Sequence, residues 1–197
     1  MLIRLVRLIE QMLQSGKLEP RWWSDSIFGF RATKVMLRLG RSDPFFLSLQ
    51  GMNVEKYSLK AESSLTIFEF VSEGPNGLIR KIIQFQLTNQ PNLYNLAFGD
   101  RNEETGEIND LVVSNNGDTE KVLATVVAAL YAFFDRYPDV LVYATGSTKA
   151  RTRLYRMGIT RFYEEMSRDF DLYGQMRDEF YEFEVGREYV GFLAQRK

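Results

Sequence analysis

Residues 118–137 constrain the fold more than any other stretch of the chain. Val122, Leu123, Val126, Val127, Leu130, Phe133 and Phe134 recur at helical spacing and make an apolar stripe broad enough for a central core helix. Ala124, Ala128 and Ala129 lie between them, so the helix can pack closely on a sheet. Asp118 stands where an N-cap belongs, and Glu120 adds a favourable charge in the first turn. Tyr137-Pro138 ends the pattern.

The segments around this helix have the period of strands. Leu65 to Val71 is rich in β-branched and aromatic residues. Glu73 to Gly77 reads as a turn, because proline fixes φ and Asn-Gly accepts positive φ. Leu78 to Leu87 is the returning strand, Asn92 to Phe98 a third strand closed by Gly99-Asp100, and Ile108 to Val113 a fourth after the turn at Arg101 to Gly106. Beyond the helix, Val140 to Ala144 is a short buried strand. A helix from Ser147 to Met157 follows, with Gly158 as its C′ residue, then a helix over Thr160 to Phe170. Leu172 to Met176, Phe180 to Val185 and Glu188 to Ala194 supply two or three further strands. The order predicts an α+β fold: a mostly antiparallel sheet packed on a central helix, one compact domain over residues 52–197.

Residues 1–51 differ. They hold eight Lys/Arg against four Asp/Glu, a local charge of +4 that leaves about −5 for the rest. Leu2, Leu5, Val6, Ile9, Met12 and Leu13 predict an amphipathic helix ending at Ser15-Gly16. After it come only fragments: Trp22-Trp23, Ile27-Phe28, Val35 to Leu37 and Phe45 to Leu47. Three readings stay open: an arm docked on the domain or on a partner, a membrane-surface helix, or a stretch outside the natural protein, with Met52 as its start.

Composition excludes several chemistries. Without cysteine there is no disulfide and no thiolate metal site. Without histidine there is no Ser-His or Cys-His catalysis, no imidazole ligand and no ordinary base near neutral pH. A non-catalytic role is the simpler reading, and no cofactor or metal is implied. A net charge of −1 gives no overall field for nucleic acid. No apolar run reaches membrane-spanning length and no signal peptide is evident, so the cytoplasm is the expected compartment.

One constellation carries chemistry. Thr145-Gly146-Ser147-Thr148 leads from a strand into a helix bearing Lys149, Arg151, Arg153 and Arg156. A helix N-terminus suits an anion, Gly146 would admit a ligand close to the backbone, and Ser147 and Thr148 offer hydroxyls. At about 100° per residue Lys149, Arg153 and Arg156 fall on one stripe beside Ala150, Leu154 and Met157. Cations at this pole oppose the helix dipole, so something negative should face them. A small phosphate- or carboxylate-bearing ligand would serve. So would internal partners such as Glu164, Glu165, Asp169, Asp178, Glu179 or Glu182. A protein partner, a homodimer included, stays open as well. Asn115 to Asp118 with Asp110 reads as a turn and cap rather than a metal site. The aromatic-rich tail reads as core packing rather than base stacking.

Phe68 to Pro75, Asn92 to Asp100, Ser114 to Thr125, Tyr143 to Ser147 and Arg151 to Ile159 together resemble a bacterial domain family of unknown function, the 6934 family, over residues 52–197. The resemblance implies a compact domain and no activity. A weaker one is to the acetyl-CoA-dependent N-acetyltransferases. It rests on the order of Ile108 to Val113, the 118–137 helix, Val140 to Ala144, and Ala150, Leu154, Tyr155, Gly158 and Ile159. It implies an acyltransferase-like enzyme with a degenerate acyl-CoA site and Tyr155 as general acid. The pyrophosphate loop of that family is replaced here by Asn115 to Glu120, whose two carboxylates would oppose phosphates.

Overall fold

The computed structural model describes residues 2–18, 54–109 and 114–197. The fragments between Trp22 and Leu47, the expected start at Met52 and residues Asp110 to Val113 lie outside the described residues. Four helices and nine strands are described. The helices are α1 (Leu2–Gln14), α2 (Thr119–Arg136), α3 (Lys149–Arg161) and α4 (Tyr163–Asp169). The strands are β1 (Lys60–Ala61), β2 (Ile67–Gly74), β3 (Gly77–Leu87), β4 (Leu93–Arg101), β5 (Ile108–Asn109), β6 (Leu141–Ala144), β7 (Phe170–Met176), β8 (Glu179–Glu182) and β9 (Gly191–Arg196).

All nine strands form one sheet in the order β1-β2-β3-β4-β6-β9-β7-β8, with β5 paired to β4. Among the described residues only β4 and β6 run parallel; every other pair is antiparallel. The expected α+β class and mostly antiparallel sheet are therefore present. The parallel pair follows from connectivity: α2 carries the chain across the sheet and returns it in the same direction, as a helical crossover does. β4 and β6 are in register from Leu93↔Leu141 to Leu96↔Ala144, and there they part. β4 continues to Arg101, where β5 takes up its edge at Asp100 and Arg101.

Several boundaries differ from the sequence reading. The β2–β3 turn is Pro75-Asn76 alone, with Gly77 at φ 87°. Gly99, Asp100 and Arg101 continue β4 instead of ending it. Gly158 does not end a helix: α3 runs on to Arg161, and Gly158 is buried with Leu123 of α2 where a Cβ would come within 3.2 Å of it. The glycine serves a close helix crossing, which local pattern does not distinguish from a cap. Phe170 starts β7 rather than closing α4.

Twelve residues of α2 are buried, which leaves its ends and one narrow edge in water. Phe133 is fully buried, stacked on Phe85 of β3 at 4.0 Å between ring centroids, with Phe134 and Tyr137 beside it. The aromatic tail joins the same core through Phe162, Phe170, Phe183, Tyr189 and Phe192. β6 is buried along its whole length, so both faces of the sheet are covered there. Val142 and Ala144 face α2, while Leu141 and Tyr143 face the other way. On that second face Leu8, Ile9, Met12 and Leu13 of α1 and Leu18 pack with Leu93, Leu141, Tyr143, Phe180 and Leu193. Lys17 N–H donates to the Met12 carbonyl and Gly16 N–H to the Leu13 carbonyl, which closes the end of α1. The Tyr173 hydroxyl donates to the Lys17 carbonyl at 3.1 Å. Burial, then the Asp171 and Glu182 carboxylates, push that phenol up to about 12.

Phe133→Ala should cost about 3–5 kcal/mol in chemical denaturation, because the sheet and neighbouring rings cannot fully collapse into the space. Tyr173 has a folded pKa above its unfolded value of about 10, so its contribution is complete below pH 10 and lost as pH rises through about 12. Tyr173→Phe should flatten that part of the alkaline fall in stability, measured as denaturation midpoint against pH.

Candidate ligand-binding groove

The turn from β6 into α3 is fixed by threonines. Thr148, not Ser147, is the N-cap of α3, and its hydroxyl accepts from Arg151 N–H at 3.3 Å. Gly146 N–H donates to Thr152 Oγ1 at 3.2 Å, and a Cβ on Gly146 would collide with the Thr152 backbone nitrogen. The bare face of Gly146 thus meets the first turn of the helix and leaves no space there for a ligand. Ser147, Thr148 and Lys149 are exposed on the far side of the turn.

The cations of α3 meet different partners. Arg156 pairs with Glu188 at 3.3 Å and Arg161 with Glu120 at 2.6 Å. These internal partners come from the β8–β9 loop and from α2, not from the carboxylates expected between Glu164 and Glu182. Arg151 turns toward the sheet and donates to the Phe98 carbonyl at 2.8 Å, in the gap where β4 and β6 part. Lys149 and Arg153 are exposed and have no ionic partner among the described residues. The single stripe inferred from helical spacing therefore divides. Arg156 is held internally, Lys149 faces outward, and Arg153 alone of the six expected residues lines a groove.

That groove has a volume of about 460 Å³. One wall is α3, with Ala150, Arg151, Arg153, Leu154 and Met157. The opposite wall is the loop Ser114 to Asn116 with Asp118, Thr119 and Val122, and the floor is Lys81 with Phe98, Gly99 and Asp100. Met157 is 44% exposed, so an apolar strip of α3 faces the opening.

The floor is a polar cluster on the core face of the sheet. Lys81, only 5% exposed, is the cross-strand neighbour of Asp100 and pairs with it. The same ammonium donates to Ser114 Oγ. Next to it, Asp118 Oδ2 accepts from the Ser72 hydroxyl at 2.6 Å and the Tyr57 hydroxyl at 2.7 Å. Asp118 makes no side-chain cap bond to α2, so its carboxylate serves the sheet and the Tyr57 segment. Asn116, 3% exposed, donates to Ser72 Oγ and the Gly77 carbonyl and accepts from Asn76 N–H. These bonds pin the 114–118 loop to the β2–β3 hairpin. Burial pushes the Tyr57 phenol above its ordinary value; the Glu73 amide opposes this and Asp118 adds to it. Tyr57 therefore stays a hydroxyl donor at neutral pH.

Sequence reasoning missed Lys81, Asp100, Ser72 and Ser114. One signal was available: Lys81 interrupts the apolar alternation Ile79, Ile83, Phe85 on one face of β3. Its partner could not be read, because the register with β4 sets it. Asp110, the other acid of the expected turn cluster, lies outside the described residues. Among them no group of three or more metal-ligating side chains forms, and no helix is long and apolar enough to cross a membrane. Two other hollows flank the groove. One of about 490 Å³ shares Lys81, but most of its cations are matched, Arg101 by Glu69 and Lys121 by Glu55 among them. The other, about 60 Å³ and almost wholly apolar, lies beneath α3 and is lined in part by Tyr155. Tyr155 thus faces the interior and does not line the groove.

Lys81→Met should cost about 3–5 kcal/mol in denaturation, since it strands a largely buried Asp100. Lys81→Met with Asp100→Leu should recover most of that loss. A double variant as unstable as the single one would mean that the pair itself, not the orphaned charge, holds the floor together.

No curated protein and no solved structure matches this chain. The model of one family, described as a family of unknown function (DUF6934), matches residues 53–197. That match covers most of the chain and contains every strand, helices α2 to α4 and the groove; the chain belongs to this family of unknown function.

Proposed function

We propose that this chain is a non-catalytic binding domain that takes a small, partly apolar, anion-bearing ligand in the groove between α3 and the 114–119 loop. Arg153 carries the reading. It is exposed, lines the groove, has no ionic partner among the described residues, and stands beside Leu154 and Met157. A guanidinium next to apolar surface recognises a planar anion by bidentate bonds while that surface holds the rest of the ligand. Arg151, on the same wall, adds positive potential.

The floor supports binding over reaction. Ser114 Oγ accepts a hydrogen bond from Lys81, and an ammonium that donates to both Asp100 and Ser114 has no lone pair with which to take the serine's proton. Neither histidine nor cysteine is available to replace it.

A second reading, acyltransferase-like, draws on the strand order and on the single parallel pair β4–β6, which parts after Leu96 and Ala144. Three observations weigh against a working acyl-CoA site. The strand beside β6 is β4, not the 108–113 stretch on which the resemblance rests. The Arg151 guanidinium already occupies the parting. Asp118 and Glu120 put carboxylates at the start of α2, where that resemblance would place phosphates.

Thermal-shift measurements with inorganic phosphate, adenine nucleotides, acyl-CoA and small carboxylates at millimolar concentration test the proposal. A ligand at about 100 times its Kd should add about 2.7 kcal/mol, a rise in Tm of several degrees for a domain of this size. Arg153→Ala should abolish the rise while leaving the unliganded Tm within about 1 °C, as for other exposed positions. No rise with any of these compounds, nor with the dipeptides described below, would overturn the binding reading, and a rise confined to acyl-CoA would favour the second.

A further inference from the structure

We infer that the ligand of this groove is a zwitterion, an amino-acid-like or short-peptide molecule whose acid meets Arg153 and whose ammonium meets Asp118. The inference rests on the groove being the binding site and adds the ligand's second charge. On the floor Lys81 and Asp100 cancel. The charges left on the walls are then of both signs. Asp118 is half-buried and lines the groove, and no cation pairs with it among the described residues. Its Oδ2 accepts two hydroxyls, from Tyr57 and Ser72. No hydrogen bond engages Asp118 Oδ1 among the described residues.

Arg153 stands on the facing wall, with Val122, Leu154 and Met157 supplying apolar surface in the same groove. An anion alone would answer Arg153 but would sit in the same groove as the Asp118 carboxylate, and like charges repel. A cation alone would do the converse. A molecule bearing both charges about an apolar body satisfies the two walls together, as electrostatic complementarity requires.

The test uses the full chain and the dipeptides leucyl-leucine and phenylalanyl-leucine, each free, N-acetylated and C-amidated, by isothermal titration and thermal shift. Free dipeptide should bind, and blocking either terminus should weaken binding tenfold or more. In Asp118→Asn, which keeps acceptors for Tyr57 and Ser72, free and N-acetylated forms should bind alike. In Arg153→Gln, free and amidated forms should bind alike. If N-acetylated dipeptide binds the unaltered chain as well as the free form, the zwitterion inference falls and anion binding in the groove survives. It falls in the same way if phosphates or nucleotides bind and no dipeptide does. If nothing binds, both readings fall. Should Asp118→Asn not fold, the blocked ligands on the unaltered chain still decide.

Discussion

The structure depends on the burial of α2 against the sheet. A helix buried at twelve of its eighteen positions is stable only when its neighbours together cover most of its circumference. The sheet does so from one side, and α3 and α4 complete the enclosure. The buried alanines and phenylalanines of α2 share that core with the strands and set how close these layers come. Phe133 against Phe85 is the tightest such contact between rings. Once α2 occupies that place, the chain leaving it must return parallel to β4. The single parallel pair and the parting beyond Leu96 and Ala144 follow from this.

The groove is a consequence of that parting. Where two neighbouring strands diverge, backbone groups lose their partners and must be satisfied otherwise. Arg151 does this for the Phe98 carbonyl, and in doing so draws the first turn of α3 over the gap. α3 then forms one wall, with Arg153 and Met157 turned outward. The other wall is held by a polar network that belongs to the sheet: Ser72 and Asn116 are buried, and Asp118 and Tyr57 close over them. Such a network holds a unique geometry only when every member is bonded. Among the described residues the carboxylate of Asp118 has hydrogen bonds but no opposite charge, and the guanidinium of Arg153 has no ionic partner. On the floor Lys81 and Asp100 pair with each other.

Local sequence showed much of this in outline. The α2 stripe, the β2–β3 hairpin, the buried strand before α3 and the amphipathic α1 all lie close to their expected places, because each is encoded by a run of neighbours with one period. The failures are of a different kind. Gly158 looked like a helix end, since a glycine after an apolar turn usually is; its role is contact with Leu123, far away in sequence but adjacent in space. Asp118 looked like a cap, and its position is right, but its carboxylate is claimed by Tyr57 and Ser72 from another part of the chain. The cationic stripe on α3 was real as a helical face. Glu188, which pairs with Arg156 of that stripe, was not among the partners expected, because helical spacing says which side chains share a face and nothing about what that face meets.

By itself, then, the sequence determined the fold class, the central helix, the exclusion of histidine and cysteine chemistry, and the concentration of cations after Ser147. Only the tertiary structure decided which of those cations have an ionic partner among the described residues, that Lys81 meets Asp100 beneath the groove, and that Asp118 lines the same groove as Arg153. The physical reason is the range of the forces involved. Periodicity and capping act between residues a turn or two apart and leave a local trace. Strand register and helix crossing are set by packing the whole core, and the pairing of charges follows from them.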